Sequence, residues 1–149
     1  MTPEDVAARE AIRDLVARYN ANGDTGRFDD VVALFAPDAV MELPNGEILE
    51  GRDAIAGMFR RTRDQVHASA PDDAATGAVH LRHFTGTQQI DLDGPDRARS
   101  RCYFQVLMPH GLDHWGRYVD ELVRIDGAWL FAHRRVTVDG RVDTSPFTA

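Results

Sequence analysis

The chain has no lysine, so all 17 of its basic residues are arginine. Without a lysine amine, no Schiff base can form on a substrate carbonyl or on pyridoxal phosphate, and no P-loop lysine can reach a nucleotide phosphate. Cys102 is the only cysteine. It excludes an internal disulfide and any thiolate zinc site made within this chain. Neither G-x-G-x-x-G nor G-x-S-x-G occurs, which disfavours nucleotide-dependent and serine-hydrolase chemistry. Apolar runs are short, none approaching the roughly 20 residues that cross a bilayer, and the opening MTPEDVAARE is acidic and polar rather than signal-like. A cytoplasmic location with no membrane partner is expected. Basic residues cluster no further than Arg60–Arg61 and Arg134–Arg135, and the net charge is -7. A polyanion is repelled overall, so nucleic acid is not an expected partner.

What is present fits one domain over residues 1–149, because 43% of the residues are hydrophobic and that suffices for a core. Thr2 caps a first helix with Pro3 at its first position and Asp5 three residues after the cap, and Ile12, Leu15, Val16 and Tyr19 recur at helical spacing. Gly23 is its expected stop. A second short helix carries Phe28, Val31, Val32, Leu34 and Phe35 and is expected to end at Pro37. AVMEL reads as a strand that Asn45-Gly46 folds back into a hairpin, and a third helix is expected from about Asp53 to Val66. The small, polar stretch 67–78 is expected to be a mobile loop that closes over a pocket.

From Val79 on, long strands alternate with turn signals at 91–97, 109–114 and 125–129, which implies four long antiparallel strands. Ala98, Ser100, Cys102, Phe104, Val106 and Met108 alternate with Arg99, Arg101, Tyr103 and Gln105, the pattern of a sheet covered on one face. Three N-terminal helices are available as the cover, giving an α+β domain.

Five of the six histidines lie in the sheet half: His80, His83, His110, His114 and His133. His80 and His83, three apart on a strand, should point to opposite faces, so they are not a chelating pair. His110 and His114 straddle a turn but lack an acidic third ligand of clear spacing, so no metal is expected. His83 shares its face with Val79 and Leu81, and Gly86 is a candidate bulge just beyond it. Arg134 and Arg135 are either solvent charges or one of them reaches the pocket mouth to orient an anion. Asp24, between Gly23 and Gly26, is either a turn residue or an acid held beside a reaction.

The stretches RYNANGDTGRFDDVVALFAPDAV (18–40), HFTGTQQIDLDGPDRARSRCYF (83–104) and GRYVDELVRIDGAWLFAHRRV (116–136), in that order, resemble the SnoaL-like branch of the nuclear-transport-factor-2-like superfamily. The resemblance covers roughly residues 5–138. It implies a cone-shaped α+β barrel with three N-terminal helices packed on a curved, mostly antiparallel sheet. Members of that superfamily include scytalone dehydratase, bile-acid 7α-dehydratase, hexachlorocyclohexane dehydrochlorinase, ketosteroid isomerase and polyketide cyclases. In the dehydratase and dehydrochlorinase members an aspartate after the first helix pairs with a histidine opening the first long strand, and Asp24 and His83 occupy those places. Tyr19 matches a tyrosine five positions before that aspartate. Because five helical steps turn about 140°, the helix is expected to end at Gly23 so that Tyr19 and Asp24 face one pocket. Where many relatives carry asparagine four residues after the histidine, this chain has Thr87.

The resemblance implies a cofactor-independent lyase or isomerase acting on a small, largely apolar, cyclic substrate. Asp24 would orient His83, His83 would remove a proton, and Tyr19 would donate to the oxygen where charge develops. Phe104, Tyr118 and Arg134 are the candidate substrate contacts. Two other readings stay open: a polyketide cyclase, and a non-catalytic binding or assembly domain such as a dioxygenase β-type subunit. Exposed Tyr103 and Leu107 on the arginine-bearing side of their strand suggest a homodimer or homotrimer.

Overall fold

The computed structural model describes residues 1–69 and 80–147. Helix α1 (Pro3–Asp24) opens on a reciprocal capping box, the Asp5 amide donating to Thr2 Oγ1 at 3.1 Å and the Thr2 amide to Asp5 Oδ2 at 2.9 Å. Its buried stripe is Ile12, Leu15, Val16, Tyr19 and Asn20. Helix α2 (Phe28–Val32), strand β1 (Phe35–Glu42), strand β2 (Ile48–Glu50) and helix α3 (Arg52–Ser69) follow. Strands β3 (Arg82–Leu92), β4 (Arg97–Met108), β5 (Gly111–Ile125) and β6 (Ala128–Arg141) are the remaining elements among the described residues.

All six strands form one sheet in the order β2-β1-β6-β5-β4-β3. β3 to β6 are antiparallel neighbours, as the turn signals imply, and only β1 joins β6 in parallel. The sheet does not close, and the three helices pack against it in the arrangement of an α+β cone. Along β4 the alternation holds residue by residue: Ala98, Ser100, Cys102, Phe104 and Val106 are buried, and their neighbours are exposed. Apolar burial of the sheet's inner face, under α1 at β3 and β6 and under α3 at β1 and β2, holds helices to sheet, at roughly 1.5–3 kcal/mol per large side chain. Phe35 and Phe131, both fully buried, meet at 5.1 Å between ring centroids where β1 and β6 join.

Three local expectations are corrected. α1 does not stop at Gly23 but runs to Asp24, and the left-handed residue that turns the chain is Gly26 (φ 75°). α2 ends at Val32, so Phe35 and Pro37 belong to β1 rather than to the helix. Pro37 is tolerated there because the ladder to β6 slips between Phe35 and Val40, where no proline N–H is required. β3 begins at Arg82, so His80 precedes the strand and strand alternation does not separate it from His83. The loop expected over 67–78 lies outside the described residues except for its first three positions, which continue α3 to Ser69.

The β3 ladder slips between Gly86 and Gln89, at the expected bulge, with Thr87 in the left-handed region at φ 55°. On the outer face of β3 to β5, Phe84, Tyr103, Leu107, Leu112, Trp115 and Val119 are exposed. Among the described residues no helix is long and apolar enough to cross a membrane.

Candidate active site

A cavity of about 880 Å³ lies between the C-terminal turns of α1, the inner face of α3 and strands β3 to β6. That is within the ordinary range for a small-molecule site. Tyr19, Asn20, Gly23 and Asp24 all line it. On an unbroken helix these four span an arc of about 140°. The wall is wide enough to take the whole arc, which is why the helix need not end at Gly23 to present both Tyr19 and Asp24.

Asp24 ties the end of α1 to the start of β3. Its Oδ2 accepts from the His83 backbone amide at 2.9 Å, and its Oδ1 lies 2.6 Å from His83 Nδ1. An ionised carboxylate can only accept, so in the neutral imidazole Nδ1 carries the hydrogen of that bond and Nε2 the lone pair. The Asp24 side chain is 7% exposed and that of His83 21%, so the acid is sheltered while the imidazole reaches the cavity.

Facing this pair is a second one that the sequence reading did not anticipate. His114 Nδ1 lies 2.7 Å from Asp113 Oδ2, which also accepts from Ser145 Oγ at 2.6 Å. His110 Nε2 stands 2.9 Å from Asp113 Oδ1, within ion-pair reach but not aligned as a hydrogen bond. Asp113 is completely buried and His114 nearly so. Two successive strand residues ordinarily point to opposite faces. Here the ladder to β4 slips between Val106 and Leu107, where β5 carries Asp113 as an extra residue, and Asp113 and His114 are both buried. The adjacent Asp-His in LDHW was the available signal; the slipped register that gives it meaning was not. Burial lowers the pKa of His114, Asp113 opposes that fall, and His83 and Arg141 add to it.

Aromatic groups shape the rest of the wall. Phe104 stacks on Tyr118 at 4.6 Å and stands 6.0 Å from the rings of both His83 and His114, while Phe147 packs against His114 at 4.7 Å. The Tyr118 hydroxyl donates to Asn20 Oδ1 at 3.0 Å. Burial raises the phenols of Tyr19 and Tyr118, with the Arg134 guanidinium holding both back, so each is a neutral hydrogen-bond donor.

Phe104, Tyr118, Tyr19, Asp24 and His83 are thus brought to one cavity, and Arg134 is not. Instead of reaching the pocket mouth, Arg134 is fully buried behind it, paired to Asp120 and packed 3.9 to 4.1 Å from the rings of Tyr19, Tyr118 and Phe131. A guanidinium can be buried this way because one partner neutralises it and three ring faces surround it. Arg135 stays exposed and pairs with Glu42 at 2.7 Å, which also contacts His133 Nε2 at 2.9 Å. Among the described residues no three His, Cys, Asp or Glu side chains are grouped to hold a metal ion.

Residues 4–135 match the SnoaL-like domain family. Among solved structures, a scytalone dehydratase-like protein from Novosphingobium aromaticivorans superposes with a TM-score of 0.79 at 19% identity, over 100% of this chain and 93% of that one. LinA superposes with a TM-score of 0.77 at 16% identity, over 98% and 97%. A variant of Rv3472, a protein of unknown function from Mycobacterium tuberculosis, is 28% identical, with a TM-score of 0.73 over 100% of this chain and 82% of that one. No curated protein matches the chain.

Proposed function

The chain belongs to the SnoaL-like domain family, and on that footing we propose that it is a cofactor-independent lyase or isomerase whose base is His83, oriented by Asp24. One observation carries the reading: the 2.6 Å contact pins Nδ1 on a sheltered carboxylate and leaves the Nε2 lone pair for the cavity. Asp24 stabilises the imidazolium that forms when His83 takes a proton. Tyr19, neutral and lining the same cavity, donates to the oxygen on which charge develops. The lining favours a small, largely apolar, cyclic substrate with an acidic C–H next to a carbonyl, and Phe104 and Tyr118 supply flat faces for it.

Elimination and isomerisation share the first step, so the test reads that step. Cyclohexanone and 3-hydroxycyclohexanone incubated in D2O are followed by NMR for α-proton exchange and for appearance of the enone. Wild-type protein is expected to accelerate exchange, and His83→Ala to lower it by the roughly 10²–10⁴-fold typical of a lost general base. Exchange by the His83→Ala variant at the wild-type rate would overturn the assignment.

A further inference from the structure

The chain carries a net charge of -7, yet the charged side chains that line its cavity lean the other way. Among the described residues they are Asp24, Glu47, Arg61, Arg63, Arg82 and Arg141. Both carboxylates are already engaged, Asp24 with His83 and Glu47 with Arg61 at 2.9 Å. Arg63 pairs with Asp64 at 3.2 Å. Among the described residues Arg82 and Arg141 meet no carboxylate, and each donates only to a backbone carbonyl, Arg82 to that of Leu81 and Arg141 to that of Phe147.

Arg141 differs from the other three in how firmly it is placed. Arg61, Arg63 and Arg82 are exposed, whereas Arg141 is half-buried at the end of β6, directly opposite His114 in the ladder to β5. Its Nη1 donates to the Phe147 carbonyl at 2.7 Å. The tail that carries Phe147 is itself held, with Ser145 Oγ on buried Asp113 at 2.6 Å and the Phe147 ring against His114 at 4.7 Å. With Nη1 so engaged, Nε and Nη2 have no acceptor among the described residues. Those two N–H groups form one edge of the guanidinium, spaced to meet both oxygens of a carboxylate. The protein uses that same edge once already, in Arg134 on the two oxygens of Asp120.

We propose that Arg141 is an anion-binding residue of this cavity, and that the substrate is a cyclic keto acid whose carboxylate rests on the Nε–Nη2 edge of Arg141 while its ring lies against Phe104 and Tyr118. The inference rests on the reading of His83 as the base, because that reading supplies the ketone; the anion site itself stands on Arg141. A carboxylate there gives the free edge its acceptors. It also keeps part of its hydration, since Arg141 is not cut off from solvent, and so avoids the cost of burying a charge in the apolar part of the cavity. The excess of arginine around the cavity draws an anion toward it although the chain as a whole is negative. A neutral ketone uses neither feature.

The test compares cyclohexanecarboxylate with cyclohexanecarboxamide, which has nearly the same shape and no charge, by NMR titration of the full-length protein. Wild-type protein should bind the acid roughly 10–100-fold more tightly than the amide, the range of a hydrogen-bonded contact to a charged group. Added salt should narrow the gap. Arg141→Gln, which keeps a donor for the Phe147 carbonyl and removes the charge, should abolish it. With 3- and 4-oxocyclohexanecarboxylate the comparison extends to turnover: α-proton exchange in D2O should favour the acids over the matching amides through KM, and Arg141→Gln should raise KM for the acids alone. Equal binding of acid and amide by the wild type overturns the site, and this outcome needs no variant to fold. A preference for the acid that persists in Arg141→Gln overturns it as well, and so does failure of the acid to bind. His83→Ala separates the two readings. Exchange by that variant at the wild-type rate, with the acid preference intact, removes the base and leaves the anion site. Lost exchange in His83→Ala beside equal binding of acid and amide removes the anion site and leaves the base.

Discussion

Arg134 closes a two-point ion pair on Asp120, Nε at 2.8 Å and Nη2 at 2.9 Å, with neither side chain exposed to solvent. Burial works against the charge of Arg134, and Asp120 more than restores it, so its pKa is raised. The pair joins β5 to β6 directly behind Tyr19 and Tyr118, and thereby fixes two walls of the cavity. Asp120→Ala should cost about 3–5 kcal/mol, because it leaves a buried guanidinium unpaired. Adding Arg134→Met to Asp120→Leu should recover most of that loss, since two apolar groups need no partner. Urea denaturation of the single and double variants measures both. A double variant no more stable than the single would show that the ion pair itself, rather than the avoidance of an orphaned charge, holds the strands.

Thr87 sits at φ 55° inside the β3 bulge, a region where a β-branched residue is strained. Asparagine tolerates this conformation and glycine adopts it freely. Thr87→Asn and Thr87→Gly should each stabilise the protein by up to about 1 kcal/mol, read as a rise in Tm. A fall in Tm with either variant would mean that the threonine side chain contributes more than the backbone strain costs.

Much of this architecture was legible because it rests on periodicity and strong local chemistry. The β4 alternation from Ala98 to Met108, the capping box at Thr2 and the Asn45-Gly46 hairpin are each decided by neighbours in sequence. The errors fall where tertiary partners decide. Phe35 fits the apolar stripe of α2, yet burial against Phe131 draws it into β1. Arg134 looks like a surface charge until the register of β5 places Asp120 directly opposite it. Asp113 and His114 are buried side by side because the ladder to β4 slips at Asp113.

His114 should leave a mark on stability. Its pKa in the folded state is lowered by burial, so near neutrality the folded protein binds fewer protons at this site than the unfolded chain. Stability from this site is therefore fully present above the unfolded value of about 6.5 and is lost as pH falls through the lower folded value. Denaturation midpoints measured from pH 8 down to pH 5 should fall, and His114→Asn should flatten that slope. An unchanged slope in the variant would assign the acid sensitivity to other groups.

The outer sheet face carries Tyr103 at 59% and Phe84 at 51% exposure, beside Leu107, Leu112 and Val119. A second or third copy of the chain seated there would remove this apolar patch from water. Light scattering is expected to show a homodimer or homotrimer, and Tyr103→Glu to shift it toward the monomer. A single 16.6 kDa species at all concentrations would count against self-association through this face.

Asp24→Asn separates the chemical role of Asp24 from its structural one. The carboxylate makes two contacts, one to the His83 backbone amide and one to the ring. Asparagine can keep the first through its carbonyl, so α1 stays tied to β3 and the loss of stability should be about 1 kcal/mol. Its amide group then faces Nδ1 as a donor, which forces that nitrogen to accept and moves the imidazole hydrogen to Nε2. The lone pair needed for proton abstraction is then gone from the cavity, and the negative charge that would stabilise an imidazolium is gone with it. Ketone α-proton exchange should fall nearly as far as in His83→Ala while the melting curve stays close to wild type. Nitrogen-15 shifts of His83 would show the tautomer change directly. Full exchange activity in Asp24→Asn, with Nδ1 still protonated, would reduce Asp24 to a clamp between helix and strand.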